Sequence, residues 1–139
     1  GDLYAANVTS VVAKGSSSDI TLREVGIVDV TTMSGDVDIC GVDTSLAVQT
    51  QSGEVEACDV TGTSAVVSAA SGGVQFEGGP QVATIRTASG DVAVNLTAQE
   101  RYAVQTSSSS GDVDVNVVSD RTSSRTLDVT TSSGDITVR

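Results

Sequence analysis

The sequence predicts an all-β protein, a single β-solenoid of about seven coils, from three observations. A short Ser-Gly-Asp-Val unit recurs along the chain, apolar and polar residues alternate on both sides of each copy, and the composition suits thin, stacked strands. Hydrophobic residues make up 38% of the 139 residues but aromatic residues only 2%, so the apolar content is mostly valine and alanine. Valine and threonine favour strands, and small side chains suit an interior in which two sheet faces lie close together.

The repeat unit is clearest at Ser34-Gly35-Asp36-Val37, and a degenerate earlier copy, Ser17-Ser18-Asp19-Ile20, has serine in place of the glycine. Glycine adopts positive φ without strain, so each glycine is predicted to turn the chain between two strands. The six turn glycines follow one another at intervals of 18, 19, 18, 21 and 23 residues: Gly35, Gly53, Gly72, Gly90, Gly111 and Gly134.

Each coil shows period-two alternation before and after its glycine, as expected for strands with one buried and one wet face. The coils begin near residues 8, 27, 45, 64, 82, 101 and 126 and take roughly 18–23 residues each, while the polar segment 116–126 is predicted as a surface loop. The predicted inner pairs before the glycine are Val28 and Val30, Leu46 and Val48, Ala65 and Val67, Ala83 and Ile85, Tyr102 and Val104, and Leu127 and Val129. Those after it are Val37 and Ile39, Val55 and Ala57, Val74 and Phe76, Val92 and Val94, Val113 and Val115, and Ile136 and Val138.

A single coil cannot bury its inner face alone. Stacking successive coils in chain order, about 4.8 Å apart, closes a continuous apolar interior and pairs the backbone from rung to rung. The whole chain, 1–139, is then one domain, and equivalent positions of successive copies form columns. One such column is predicted to point inward as a ladder of small hydroxyl groups: Thr32, Thr50, Thr87, Thr106 and Thr131.

Two cysteines occupy the same place in consecutive copies: Cys40 lies four residues after Asp36, and Cys58 lies four residues after Glu54. Stacking in register places their Cα atoms about 5 Å apart, within disulfide range, so we expect a bridge rather than two free buried thiols. A bridge would indicate an oxidising compartment. Two cysteines without histidine cannot complete a zinc site.

Acidic residues also form columns, and two interpretations are open. Repulsion between like charges one rung apart would be relieved by a cation such as calcium, the only cofactor the sequence suggests. Alternatively, each aspartate caps its own turn by accepting nearby backbone N–H groups, which we favour. The candidate cation column comprises Asp36, Glu54 and Asp112, with Asp38, Glu56 and Asp114 two residues further on.

Two glycosylation sequons begin at Asn7 and Asn95. Such triplets also arise by chance in a chain rich in threonine. Asn95 aligns with Asn116 one copy later, so a stacked asparagine pair is the alternative that we favour.

The iterated hydrophobic-x-Thr-x-Ser-Gly-Asp-Val-x-Val unit, from about Asn7 to Val138, resembles a prokaryotic domain-of-unknown-function family labelled as adhesins. The resemblance implies a β-solenoid on a secreted or cell-surface protein. It carries over no catalytic motif.

Charge and composition exclude several classes of function. The net charge of −11 disfavours nucleic acid and anionic lipid surfaces, and no apolar run is long enough for membrane insertion. An acidic coat keeps stacked strands soluble, or alternatively suits a habitat rich in salt or calcium. The chain has no histidine for a conventional Ser-His or Cys-His pair, and a thin rod offers no cleft for paired carboxylates, so we expect no enzyme.

The remaining expectation is an extracellular or cell-surface structural protein. The start at Gly1-Asp2-Leu3-Tyr4 fits a mature secreted form, and the last unit, ending at Arg139, is expected to be an uncapped rung. Open rungs recruit strands, so the chain is predicted to stack on itself head to tail into a filament, unless a further segment covers them. The alternative is a monomeric adhesin-like module that binds a glycan or a protein partner. A third possibility is a fold that depends on calcium.

Overall fold

The computed structural model describes residues 2–17, 19–96, 101–117 and 119–139. Within these residues the chain forms strands and no helix, which confirms the all-β prediction. The strands are β1 Leu3–Ser17, β2 Ile20–Ser34, β3 Val37–Ser52, β4 Val55–Val60, β5 Ser64–Ser71, β6 Val74–Gly78, β7 Val82–Ser89, β8 Val92–Leu96, β9 Ala103–Ser110, β10 Val113–Val115, β11 Thr126–Ser133 and β12 Ile136–Val138.

The strands pair in parallel between coils, which confirms the β-solenoid. Strands β1, β2 and β3 each bend at a corner and contribute to two rows. Row A holds the segments before the Ser-Gly corner: 10–17, 27–34, 45–52, β5, β7, β11 and β9. Row B holds the segments after it: 3–8, 20–25, 37–42, β4, β6, β8, β12 and β10.

The stack departs from chain order at its far end. In row A, β7 pairs with β11 and β11 with β9; in row B, β8 pairs with β12 and β12 with β10. The coil formed by β11 and β12, here called the inserted rung, therefore lies between its two predecessors. The coil formed by β9 and β10, the outer rung, ends the stack. The prediction that all coils stack in chain order is wrong beyond β8.

Apolarity explains which rung is buried. The inserted rung contributes Leu127, Val129, Ile136 and Val138 to the interior, and all four are fully buried. No residue of β9 or β10 is buried to that degree. Because a terminal rung has a neighbour on one side only, placing the more apolar rung inside removes more hydrocarbon from water.

The core consists of the inward columns of both rows, as the alternation predicted. Val28, Leu46 and Ala83 lie in one row A column, and Phe76 is the largest apolar side chain of row B, 2% exposed. Small side chains dominate because the two rows face each other across a thin interior. The buried residues thus form one continuous core.

Four threonines of the predicted inward column are buried: Thr32, Thr50, Thr87 and Thr131. Each hydroxyl group donates to the carbonyl oxygen of the serine two residues later, at 3.0–3.1 Å. The hydroxyl groups thus close their own corners instead of bonding to one another as a ladder. The hydrogen bond offsets the cost of removing each buried hydroxyl group from water.

Thr106 does not belong to that column. It lies opposite Val129, and Ser108 lies opposite Thr131. The register of β9 is set by its glycine, Gly111, which shifts the predicted inner pair by two residues. Consequently Val104, and not Tyr102, lies opposite Leu127.

All six turn glycines have positive φ, between 113° and 141°. Stacking imposes a second requirement, seen at Gly72, where an added Cβ would overlap the carbonyl group of Gly53 in the adjacent rung. The corner therefore needs glycine for both its dihedral angle and its close rung-to-rung contact. The degenerate first copy, Ser18, lies outside the described residues.

Candidate functional site at the free end of the stack

The outer rung has an edge that pairs with no further strand in the described part of the chain, since β9 pairs with β11 and β10 with β12. Only the start of this edge is covered, where Ser119 forms a bridge with Tyr102 and its hydroxyl group accepts the Val104 N–H at 3.1 Å. Val113 and Val115 are 42% and 37% exposed, although they continue the inward columns of Ile136 and Val138, which are fully buried. This end therefore presents both unpaired backbone groups and apolar side chains. Such an edge is a template for another strand.

The opposite end of the described stack is β1, which pairs with β2 alone. Its inward residues Leu3 and Val8 are 38% and 39% exposed. The pairings place Leu3 and Val113 in one column. They place Val11 and Val104 in another. A second stack placed beyond the outer rung in the same direction would continue these columns.

Four residues fasten the entries of the last two rungs to the preceding coil. Tyr102 precedes β9, and its hydroxyl group donates to the carbonyl oxygen of Pro80. Arg125 precedes β11, and its guanidinium group donates to the carbonyl oxygen of Gly79 at 2.9 Å. The guanidinium carbon also lies over the Tyr102 ring, 6.0 Å from its centroid, in cation–π geometry. We call Tyr102, Arg125, Gly79 and Pro80 the entry clamp.

The predicted surface loop 116–126 is attached to the entry of β9. The Ser123 hydroxyl group donates to the carbonyl oxygen of Arg101 at 2.6 Å, and the Asp120 N–H donates to that of Tyr102 at 2.8 Å. The Asp120 carboxylate accepts the Thr122 hydroxyl group and N–H, and these bonds lower the pKa of its carboxyl group. Residues 119–125 are therefore a tethered connection.

Aspartates at the corner bond from rung to rung. The Asp36 carboxylate accepts the N–H of Glu54 at 3.1 Å, and Asp135 accepts that of Asp112 at 2.9 Å. Asp91 accepts the N–H of Asp135 at 3.0 Å. The prediction that each aspartate caps its own turn is wrong in this respect, because the N–H belongs to the adjacent rung. Each of these carboxylates therefore joins two rungs.

The second acidic column has a different environment. Asp38 forms a two-bond ion pair with Arg23, at 3.1 and 3.2 Å, which raises the pKa of the guanidinium group. Glu56 and Asp114 are exposed. Within the described residues, no group of three or more acidic or cysteine side chains is arranged to hold a metal ion. Calcium binding stays a prediction.

A trough of about 750 Å³ follows the corner where Gly73 interrupts the acidic column. Carboxylates line it, among them Glu54, Asp91 and Asp135. Gly73 contributes no side chain at this point, so backbone is accessible between the carboxylates. The trough is therefore a strongly acidic concave surface, with six carboxylates in its lining.

Cys40 and Cys58 form the expected disulfide, with Cα atoms 4.5 Å apart. They face each other on β3 and β4, in register, as the repeat predicts. The bridge lies on the outer face of row B and staples two adjacent rungs.

The two sequon asparagines, Asn7 and Asn95, are both exposed, and Asn7 has positive φ. Thr97, which completes the second sequon, lies outside the described residues. The predicted Asn95–Asn116 pair is wrong, because the inserted rung separates them. Arg139 lies between them in the column: its N–H donates to the carbonyl oxygen of Val94, and its own carbonyl oxygen accepts the N–H of Leu96.

These features define a parallel β-solenoid with aspartate-bonded corners and open strand edges. The family model of Toastrack DUF4097 matches residues 1–139. The chain therefore belongs to the Toastrack family, whose domains have no assigned function. Comparison with curated proteins and with solved structures finds no match. No helix of the described residues is long and apolar enough to span a membrane.

Proposed function

We propose that the chain is an extracellular structural subunit whose solenoids stack head to tail into a filament or surface assembly. The observation that carries the proposal is the free edge of the outer rung. This rung is formed by β9 and β10, which precede β11 and β12 in the sequence. Its columns continue those of β1, so a second copy fits beyond it in parallel register. Head-to-tail contact is heterologous and does not close on itself, so its natural product is an open fibre.

Burial of the end side chains would stabilise this contact. Leu3, Val113 and Val115 are each 37–42% exposed and would become interior residues of a continuous stack. Complete burial of such a side chain contributes about 1.5–3 kcal/mol, so burying the exposed remainder contributes on the order of 1 kcal/mol each. Backbone pairing along β10 and along β9 beyond Val104, whose N–H is bonded to Ser119, adds direction and register. A contact of this size makes assembly dependent on protein concentration.

The acidic surface favours contact at the ends over contact at the flanks. With a formal charge of −11, rods approaching side by side repel each other. Salt screens this repulsion within about 8 Å at physiological ionic strength, so assembly should increase with salt. The Cys40–Cys58 bridge supports an oxidising, extracellular location for the protein.

A matched pair of valine substitutions tests the proposal. Val113 is 42% exposed at the free end, and Val66 is 45% exposed on the outer face of β5 within the stack. Val113→Lys places a charge in the proposed contact, whereas Val66→Lys adds the same charge at similar exposure away from it. Light scattering and negative-stain microscopy over a range of protein and salt concentrations would measure assembly.

We expect the wild-type chain and Val66→Lys to form extended particles that lengthen with concentration, and Val113→Lys to remain monomeric. Monomeric wild-type chains under all these conditions would refute the proposal. An equal loss in both variants would show that the contact is not at the end of the stack.

The trough at Gly73 favours a second candidate function, a monomeric adhesin-like module that binds a glycan or a protein partner along its flank. Its carboxylates suit a ligand that carries amino or other cationic groups. A glycan array that includes amino sugars tests this function on the monomeric Val113→Lys chain. Binding that Gly73→Asp weakens would support it, and an array without binding would count against a glycan ligand.

A further inference from the structure

We propose that the entry clamp, together with the burial of the more apolar rung, favours one of two stacking orders of the last two rungs. In the observed order the inserted rung lies against β7 and β8, and the outer rung ends the stack. In the alternative, sequential order the β9–β10 rung lies against β7 and β8, and the β11–β12 rung ends the stack. The order decides which side chains form the free end. The inference rests on the proposed function only for its effect on assembly.

The strand register is compatible with both orders. β11 pairs with β7 and with β9 through the same seven positions, from Thr126 to Ser133. In row B, β12 pairs with β8 and with β10 through the same three positions. The corner does not discriminate either, because Gly111 and Gly134 have similar positive φ angles of 141° and 130°. Strand register alone therefore leaves the order open.

The side chains make the two possible free ends different. In the observed order the outer rung places Thr106 and Ser108 in the inward columns at the end of the stack. In the sequential order Leu127, Val129 and Ile136 would be there instead, and these side chains are fully buried now. The observed order thus gives a partly polar end, and the sequential order an apolar end that favours association.

The entry clamp acts where the two orders diverge. The Thr126 N–H donates to the carbonyl oxygen of Gln81 at 2.9 Å, and the Ala103 N–H donates to that of Arg125 at 2.8 Å. In the sequential order Ala103 would have to take the Gln81 acceptor that Thr126 now uses. The bond from Arg125 to Gly79 holds the start of β11 beside β7. The Gln81 carbonyl oxygen therefore stays bonded to Thr126 and is not accessible to Ala103.

Cysteine pairs in one outward column distinguish the orders. Thr84 pairs with Asp128, and Asp128 pairs with Gln105, so Thr84 and Gln105 are two rungs apart. In the sequential order Thr84 and Gln105 would be adjacent. Two rungs are about 9.6 Å, beyond the span of a disulfide, whereas adjacent rungs are within it. Cys40 and Cys58 show that outward cysteines on adjacent rungs of this fold can form a bridge, with Cα atoms 4.5 Å apart.

The experiment compares T84C/D128C with T84C/Q105C in a glutathione redox buffer, with cross-links mapped by mass spectrometry. With the clamp intact, we expect T84C/D128C to form a bridge and T84C/Q105C to remain reduced. Adding Tyr102→Phe and Arg125→Gln removes the clamp's hydroxyl and guanidinium donors, and the bridged fraction of T84C/Q105C should rise at least tenfold. Tyr102→Phe alone keeps the buried ring and should raise the bridged fraction of T84C/Q105C by a smaller factor. This single variant replaces the double variant in the experiment if the double variant does not fold.

Far-UV circular dichroism and the native Cys40–Cys58 bridge show whether each variant is folded. A folded clamp variant in which T84C/Q105C stays reduced would overturn the inference. Light scattering on the locked chains tests the consequence separately: the T84C/Q105C lock should assemble more than the T84C/D128C lock. If the cross-links shift but neither chain assembles, the proposed function fails and the role of the clamp stands.

Discussion

Replacing Gly72 by alanine tests whether rung-to-rung contact, and not turn preference alone, requires glycine at the corner. Gly72 has a φ of 113°, and an added Cβ would overlap the carbonyl group of Gly53. The dihedral angle costs alanine about 1–3 kcal/mol, and displacing a packed neighbour costs about 1–3 kcal/mol more. We expect Gly72→Ala to lower the free energy of unfolding by about 2–6 kcal/mol.

The adjacent residue supplies the control. A Cβ on Gly73 would meet only the carbonyl oxygen of Asp91, at 3.5 Å, and the φ of Gly73 is not among the positive angles. Gly73→Ala should therefore change stability by less than about 1 kcal/mol, and the reduced entropy of the unfolded chain favours a small gain. Urea unfolding followed by circular dichroism, with the disulfide intact, measures both variants.

Unfolding of the two alanine variants at the same urea concentration would refute the requirement for glycine at residue 72. That result would mean that neighbouring rungs can move apart to admit a methyl group at the corner. If Gly72→Ala lowered the free energy of unfolding by no more than the cost of the dihedral angle, the positive φ alone would explain why the corner needs glycine.

Two further predictions follow from the rung-to-rung bonds. Asp91→Ala removes the acceptor of the Asp135 N–H and should lower the free energy of unfolding by about 0.5–1.5 kcal/mol. Asp91→Asn keeps an acceptor oxygen, so its free energy of unfolding should fall by less. Equal losses of stability in urea unfolding would attribute the effect to the lost charge and not to the hydrogen bond. Replacing Cys40 and Cys58 together by alanine should cost about 3 kcal/mol, because the bridge closes a loop of 18 residues. A wild-type midpoint that is unchanged by reductant would contradict the second prediction.

The sequence contains most of what determines the fold. The spacing of the turn glycines sets the phase of every coil, and the alternation around them identifies the inward columns, so the positions of Cys40 and Cys58 follow from stacking alone. The repetition of glycine at this place in six copies likewise predicts the positive φ of the corner. These features are local or repeat at a fixed period, which is why pattern analysis finds them.

The stacking order could not be read in the same way, because both final rungs satisfy the same backbone register. What separates them is side-chain burial and the entry clamp, which joins residues far apart in the chain. Alternation alone predicts Tyr102 and Val104 as the inner pair, whereas the register of β9 places Val104 and Thr106 in the inward columns and leaves Tyr102 buried just before the strand. The longer glycine intervals, 21 and 23 residues, were the available signal that this region differs from the regular coils.

The inserted rung also has a consequence for synthesis. A ribosome makes β9 and β10 before β11 and β12, yet in the described structure the earlier pair forms its strand pairings only with the later one. Coil-by-coil growth during translation can thus proceed as far as β8, after which the nascent chain has to wait for β11 and β12 to emerge. Until then β9 and β10 are free to settle against β7 and β8, so the pace of translation over the last coil would influence which arrangement forms first.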